Sequence, residues 1–140
     1  MANLQCKLLK DPDEALVDEL AAALGLRKIG FIWTALKVDE KKQIIPDRDE
    51  DVVLRSAECV RMANLQNKYP SPSTESESGV FGSKFVSVMV HGTKDANIEV
   101  SAYQISNQVC RLVKAGAVKV SKQENSLRVS KGDSDVSFPE

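Results

Sequence analysis

The stretch Gly30-Phe31-Ile32-Trp33-Thr34-Ala35-Leu36 reads as a β-strand entered through Arg27-Lys28-Ile29. Its near-continuous apolar run fits a strand buried on both faces and stopping at about Trp33-Thr34. Eighteen residues beyond Leu36 begins LRSAECVRMANLQN, residues 54–67. Ala57, Val60, Met62, Ala63 and Leu65 support a helix there, from about Ser56 to Asn67, and Tyr69-Pro70 stops it. A strand running through a loop into a helix is where many enzymes keep metal ligands. This one offers a tryptophan and an alanine.

Working outward, residues 4–9 (LQCKLL) fit a short strand. The segment DPDEALVDELAAALGL carries helix signals at both ends. Asp11 suits the N-cap, Pro12 the first helical position, and Glu14 a capping box with Asp11. Leu16, Val17, Leu20, Ala23 and Leu24 recur at helical spacing and predict one inward face. Gly25 is placed to end the helix in a left-handed conformation. Residues 37–51 are polar, contain Pro46 and predict a long loop.

Downstream, YPSPSTESESG (69–79) is rich in Ser, Pro and Glu and reads as a flexible insertion. SKFVSVMVHG and NIEVSAYQI alternate as two strands of a hairpin turning at Gly92–Ala96. Ser106 suits the cap of a helix with Val109, Leu112 and Val113 inward and Gly116 at its end. Residues 117–140 predict a weakly structured tail with a short hairpin around Gln123–Ser126. The expected class is α+β, a mixed sheet flanked by helices, with the folded part ending near residue 116.

Composition narrows the function. A chain of 140 residues suits one domain, and 42% apolar with 28% charged residues is ordinary for a globular protein. No apolar run approaches the roughly 20 residues of a bilayer span, and the acidic first helix is unlike a signal peptide, so a soluble, unexported protein with no direct membrane insertion is expected. The 19 basic and 20 acidic residues are interspersed, with no basic face for nucleic acid. The run Asp47-Arg48-Asp49-Glu50-Asp51 reads as a solvated loop. Cys6, Cys59 and Cys110 are odd in number and widely spaced, against a disulfide framework or zinc site; Cys59 and Cys110 are expected as small core residues. His91, the single histidine, is expected to be structural or exposed. No glycine-rich phosphate loop, triad or paired-acid arrangement stands out, so a binding or scaffold domain without cofactor is expected.

The order of elements resembles the second half of an MPN (JAMM-type) domain. In catalytic members the strand ends in His-x-His-Pro, and Ser-x-x-Asp opens the next helix. The two histidines and the aspartate bind zinc. Aligned on that pattern, Trp33 and Ala35 stand at the histidine positions, Leu36 at the proline, Arg55 at the serine and Glu58 at the aspartate. Only Glu58 could touch a metal. The resemblance therefore implies a partial MPN-like domain that has lost its metal ligands and is not an enzyme.

The words LQNKYP, FGSKFVSV and YQISNQ, with the DPDE helix leading through GLRKIGFIWTAL, are similar to the Npl-four (nuclear protein localisation protein four) family over residues 8–115. That resemblance implies a chain lacking the family's ubiquitin-like domain, zinc finger and first MPN elements, so that an uncovered sheet edge could favour dimerisation. It also implies an adaptor that, with a ubiquitin-fusion-degradation partner subunit, recruits ubiquitylated proteins to the AAA+ unfoldase valosin-containing protein. The implied partners are ubiquitin or polyubiquitin, that subunit and the unfoldase, in cytoplasm and nucleus and at the ER membrane surface. A structural MPN scaffold and a zinc-dependent deubiquitinase are the alternatives.

Candidate partner-binding residues are Trp33, Phe81, Lys84, Gln104 and Asn107, with Lys68 and Tyr69 beside them. Trp33 either fills the former active-site groove or offers its surface to a partner. Phe81 and Lys84 either stand at a groove rim, or Phe81 and Phe85 anchor the strand in the core. Gln104 and Asn107 either bond an extended peptide or cap the helix at Ser106.

Overall fold

The computed structural model describes residues 11–49, 52–120 and 126–129. The strand expected at residues 4–9 and Cys6 lie outside these residues. The fold is α+β, with a four-stranded mixed sheet in the order β2 (Ile44–Pro46), β1 (Gly30–Val38), β3 (Val86–Gly92) and β4 (Ile98–Tyr103), flanked by helices.

Strand β1 spans Gly30–Val38 and continues past Trp33-Thr34, because backbone pairing persists on both of its sides. It runs parallel to β3 (Val86–Gly92), with Phe31 opposite Ser87, Trp33 opposite Met89 and Ala35 opposite His91. The α2 helix (Ser56–Lys68) makes the crossover that parallel neighbours require. The segment expected as one long loop contains β2, Ile44–Pro46, antiparallel to the end of β1. Asp39 makes that turn: its carboxylate accepts from Lys41 and Gln43 N–H groups, both at 2.8 Å, and Lys42 takes φ 62°. Strand β4 (Ile98–Tyr103) completes the expected hairpin with β3.

The two faces of the sheet differ. Odd-numbered residues of β1 and β3 carry Ala35, Ser87 and Met89 into the core, joined by Met62 and Ala63 of α2 and by Cys110 and Leu112 of α3 (Asn107–Lys114). The opposite face presents Ile32, Leu36, Val38, Ile98 and Val100 to solvent. The expectation of a strand buried on both faces is therefore corrected. Only Ala35 of β1 is fully buried, because the described helices supply apolar cover to one side only.

The first helix also departs from expectation. It spans Glu14–Ala23 (α1), with Asp13 at the N-cap and no side-chain cap bond. Asp11 instead accepts from the N–H of Asp13, 3.0 Å, so it makes a turn and no capping box forms with Glu14. Pro12 lies in that turn, ahead of the helix. Gly25 closes α1 at φ 70°, where Leu26 N–H reaches Ala21 O. Its predicted inward face is exposed: Leu16, Val17, Leu20 and Leu24 are each more than half open to solvent, and ion pairs from Lys28 and Lys68 reach α1.

Polar side chains tie α2 to α3. Buried Gln66 uses both ends of its amide on one residue: Nε2 donates to Ile105 O at 2.9 Å, and Ile105 N–H donates to Oε1 at 2.6 Å. Asn67 Nδ2 donates to Cys110 O at 2.8 Å. Ser106 caps α3 by accepting from Val109 N–H, and Gly116 at φ 69° ends it. Cys110 is buried, whereas Cys59 is only half-buried. Beyond α3, β5 (Val118–Val120) and β6 (Leu127–Val129) pair antiparallel; residues 121–125 and 130–140 lie outside the described residues. Among the described residues no helix is long and apolar enough to cross a membrane.

Two substitutions test this framework by urea unfolding. Gln66→Leu leaves the Ile105 N–H without its partner and the Ile105 C=O with only the weak Cys110 S–H contact, and should cost about 2–3 kcal/mol. A Cβ on Gly92 would lie 2.6 Å from Ile44 Cγ2 and 2.7 Å from Ile45 O, so Gly92→Ala should cost about 2 kcal/mol by forcing β2 away from β3.

Candidate functional site

Trp33 and Ala35 point to the core side of β1, next to Met89 and His91 of β3. Trp33 is half-buried and stacks on Phe31, ring centroids 5.2 Å apart, and the Arg61 guanidinium lies over Phe31 at 4.7 Å. Its Nε1 is buried with no hydrogen-bond partner. The tryptophan thus fills space on the core side, and its only polar atom is unpaired.

Glu58 sits in the first turn of α2, where the helix dipole favours a carboxylate. The N–H of Arg55 donates to Glu58 Oε2 at 2.7 Å. Arg48 grips the same carboxylate with both ends of its fork, Nη1 to Oε2 at 2.8 Å and Nη2 to Oε1 at 3.0 Å. Nη1 also donates to Val53 O at 3.2 Å, which fastens the loop between β2 and α2. Asp47 balances the second arginine: Arg55 Nη1 lies 2.7 Å from its Oδ2, and Nη2 donates to its carbonyl oxygen at 2.9 Å.

The expectation that the run Asp47–Asp51 is a solvated loop is corrected at Arg48. Its side chain is 9% exposed, since a bidentate pair satisfies the charge that burial would otherwise penalise. Burial pushes the Glu58 carboxyl up. The Arg48 hydrogen bonds, the Arg55 N–H and the charges of both arginines more than offset this, so its pKa lies below the ordinary 4.5. Burial, then the Glu58 charge, raise the neighbouring Cys59 thiol above its ordinary 9.0, which keeps it protonated at neutral pH.

A zinc ion does not fit these residues. Trp33 and Ala35 supply no donor, Arg55 is a cation, and both Glu58 oxygens are committed to a guanidinium. Among the described residues no group of three His, Cys, Asp or Glu side chains could hold a metal. The cation that Glu58 holds is Arg48, which the sequence pattern did not single out. Its one sequence signal was an arginine between two aspartates, ahead of a helix with glutamate at its third position.

Arg48 also lines an open cleft of about 550 Å³ with Met89, His91, Ser101 and Tyr103. His91 is half-buried there, its Nε2 2.9 Å from Ser101 Oγ. The remaining candidates fall elsewhere. Phe85 is buried against Tyr69, ring centroids 5.0 Å apart, while Phe81 is 62% exposed; the two therefore do not anchor the strand together. Gln104 Nε2 donates to Ser83 O and Phe85 O, so it clamps the start of β3 and caps no helix. Asn107 opens α3 and lies against Gly82. The 71–82 segment closes on itself through Ser71 N–H to Gly82 O and Phe81 N–H to Ser71 O.

A sequence model of the NPL4 family matches residues 4–140. The chain belongs to the NPL4 family. It is 36% identical over 135 residues to the Nuclear protein localization protein 4 homolog of Homo sapiens, covering 94% of this chain and 22% of that protein. It is 39% identical over 124 residues to Nuclear protein localization protein 4 of Schizosaccharomyces pombe, covering 86% of this chain and 22% of that protein. The Drosophila melanogaster homolog is 35% identical over 134 residues, or 91% of this chain and 20% of its own length. This NPL4-family chain thus spans about a fifth of these relatives.

The Arg48–Glu58 pair makes stability depend on pH. A carboxylate with a depressed folded-state pKa contributes stability above its unfolded value and loses it as pH falls through the folded one. Arg48→Met should cost about 2–3 kcal/mol at neutral pH in urea unfolding. That deficit should shrink once the pH drops below the ordinary 4.5 of Glu58.

Proposed function

We propose that this chain is a non-catalytic part of an adaptor that delivers ubiquitylated proteins to the AAA+ unfoldase valosin-containing protein. It works with a ubiquitin-fusion-degradation partner subunit and binds ubiquitin or polyubiquitin, handing clients on for extraction and proteasomal degradation. The reading rests on membership of the NPL4 family. One observation carries its non-catalytic part: Arg48 engages both oxygens of Glu58, the one donor left at the positions of a metal centre. Such a surface recognises and holds; it has no activated water to deliver.

Trp33, Phe81, Lys84, Gln104 and Asn107 stay the candidate contacts. Phe81, Lys84, Gln104 and Asn107 are exposed, although the Gln104 amide is engaged by backbone carbonyls, whereas Trp33 is half-buried and stacks on Phe31. The relatives are named for nuclear protein localization; a place in nucleus and cytoplasm and, through the unfoldase, at the ER membrane surface belongs to the same proposal.

Affinity capture from cell extract with the full-length protein that carries this chain tests the proposal. The unfoldase, the partner subunit and ubiquitin conjugates should be recovered. Recovery of none of them, or of another multisubunit assembly in their place, would replace the adaptor reading with that of a structural scaffold.

A further inference from the structure

A second recess, on another part of the surface from the Arg48–Glu58 pair, gathers positive charge. A cavity of about 300 Å³ is lined by Arg27, Lys28, Lys68 and Lys84, with Tyr69 and Phe85 among its apolar walls. The four cations come from three places in the chain: the entry to β1, the end of α2 and the approach to β3. Among the described residues no carboxylate lines the recess. Its wall is fixed by hydrogen bonds, since Lys84 N–H donates to Ser71 Oγ at 2.8 Å and Ser83 Oγ donates to Tyr69 O. The stacked rings of Tyr69 and Phe85 give it an apolar side.

The chain already shows which chemistry this cluster attracts. Acidic residues of α1 approach it from outside: Asp18 lies 2.7 Å from Lys28 Nζ, and Glu14 lies 3.8 Å from Lys28 and 3.5 Å from Lys68. Arg27 and Lys84 have no ion pair among the described residues. Half of the cluster is therefore engaged by the chain's own carboxylates, and the other half faces solvent beside apolar wall. Like charges held together repel, and an anionic partner relieves that repulsion.

We infer that this recess is a docking site for a short acidic peptide carrying an apolar side chain, its carboxylates on Arg27 and Lys84 and its apolar group against Tyr69 and Phe85. A bare anion would leave the ring wall unused, and an apolar peptide would leave Arg27 and Lys84 unmatched. The α1 carboxylates hold the other two cations, Lys28 and Lys68. This inference does not depend on the adaptor reading.

The test is fluorescence anisotropy of the whole chain with a labelled peptide of Asp and Glu residues flanking a single Leu. Binding is expected to weaken about tenfold in Arg27→Glu/Lys84→Glu, both exposed positions, and to weaken similarly between about 50 mM and about 300 mM salt. Glu14→Gln/Asp18→Asn should tighten it, by freeing Lys28 and Lys68 to add to the positive charge that the recess presents. A peptide with Ser in place of Leu should bind several-fold more weakly. Equal binding of the Leu and Ser peptides, unchanged binding by the charge-reversed variant, or retention only on phosphatidylserine vesicles would overturn the inference. Circular dichroism of each variant establishes that it is folded.

Discussion

A buried arginine cannot stay charged without a partner of matched geometry, and Arg48 has one in Glu58. Around that constraint much of this fold is arranged. The guanidinium comes from the loop after β2, and the carboxylate comes from the first turn of α2. Their bidentate contact joins the edge of the sheet to the helix that crosses over it. Removing either partner would leave a charge under the loop with nothing to answer it. The same contact commits both oxygens of Glu58 to a guanidinium.

The core built on this frame is small and one-sided. Met62, Ala63, Phe85, Met89, Cys110 and Leu112 fill the space between sheet and helices, while Ile32, Ile98 and Val100 face outward. Amide side chains do work that apolar area does elsewhere. Gln66 and Asn67 hold α2 to the start of α3 by donating to backbone carbonyls. Among the described residues the first helix is tied on by ion pairs from Lys28 and Lys68, which at exposed positions are worth little each.

Local signals in the sequence were read well where local chemistry sets the outcome. Ser106 and Gly116 bound α3, Tyr69-Pro70 ends α2, and the Gly92–Ala96 turn makes the hairpin. The α+β class followed from alternating strand and helix periods. Errors arose where the outcome depends on residues far apart. An apolar run reports that burial would be favourable, but it cannot report whether a covering layer exists; hence β1 and α1 were expected inside and lie half open. Asp47–Asp51 looked like a solvated run because Glu58, which neutralises Arg48, is ten residues away. β2 was missed because its three residues are recruited by pairing with β1 and have little pattern of their own. Of the site, the lack of donors at Trp33 and Ala35 was legible from residue types. The arginine that engages the remaining acid was not.

The central claim is that Arg48 commits both oxygens of Glu58, the acid at the aligned metal-ligand position. It is tested most directly by following the Glu58 side-chain carboxyl carbon by NMR across an acid titration, with and without zinc. The account predicts a midpoint below the ordinary 4.5 and a resonance that zinc leaves in place. A midpoint at or above that value, or a zinc-dependent shift saturating at one equivalent, would contradict it.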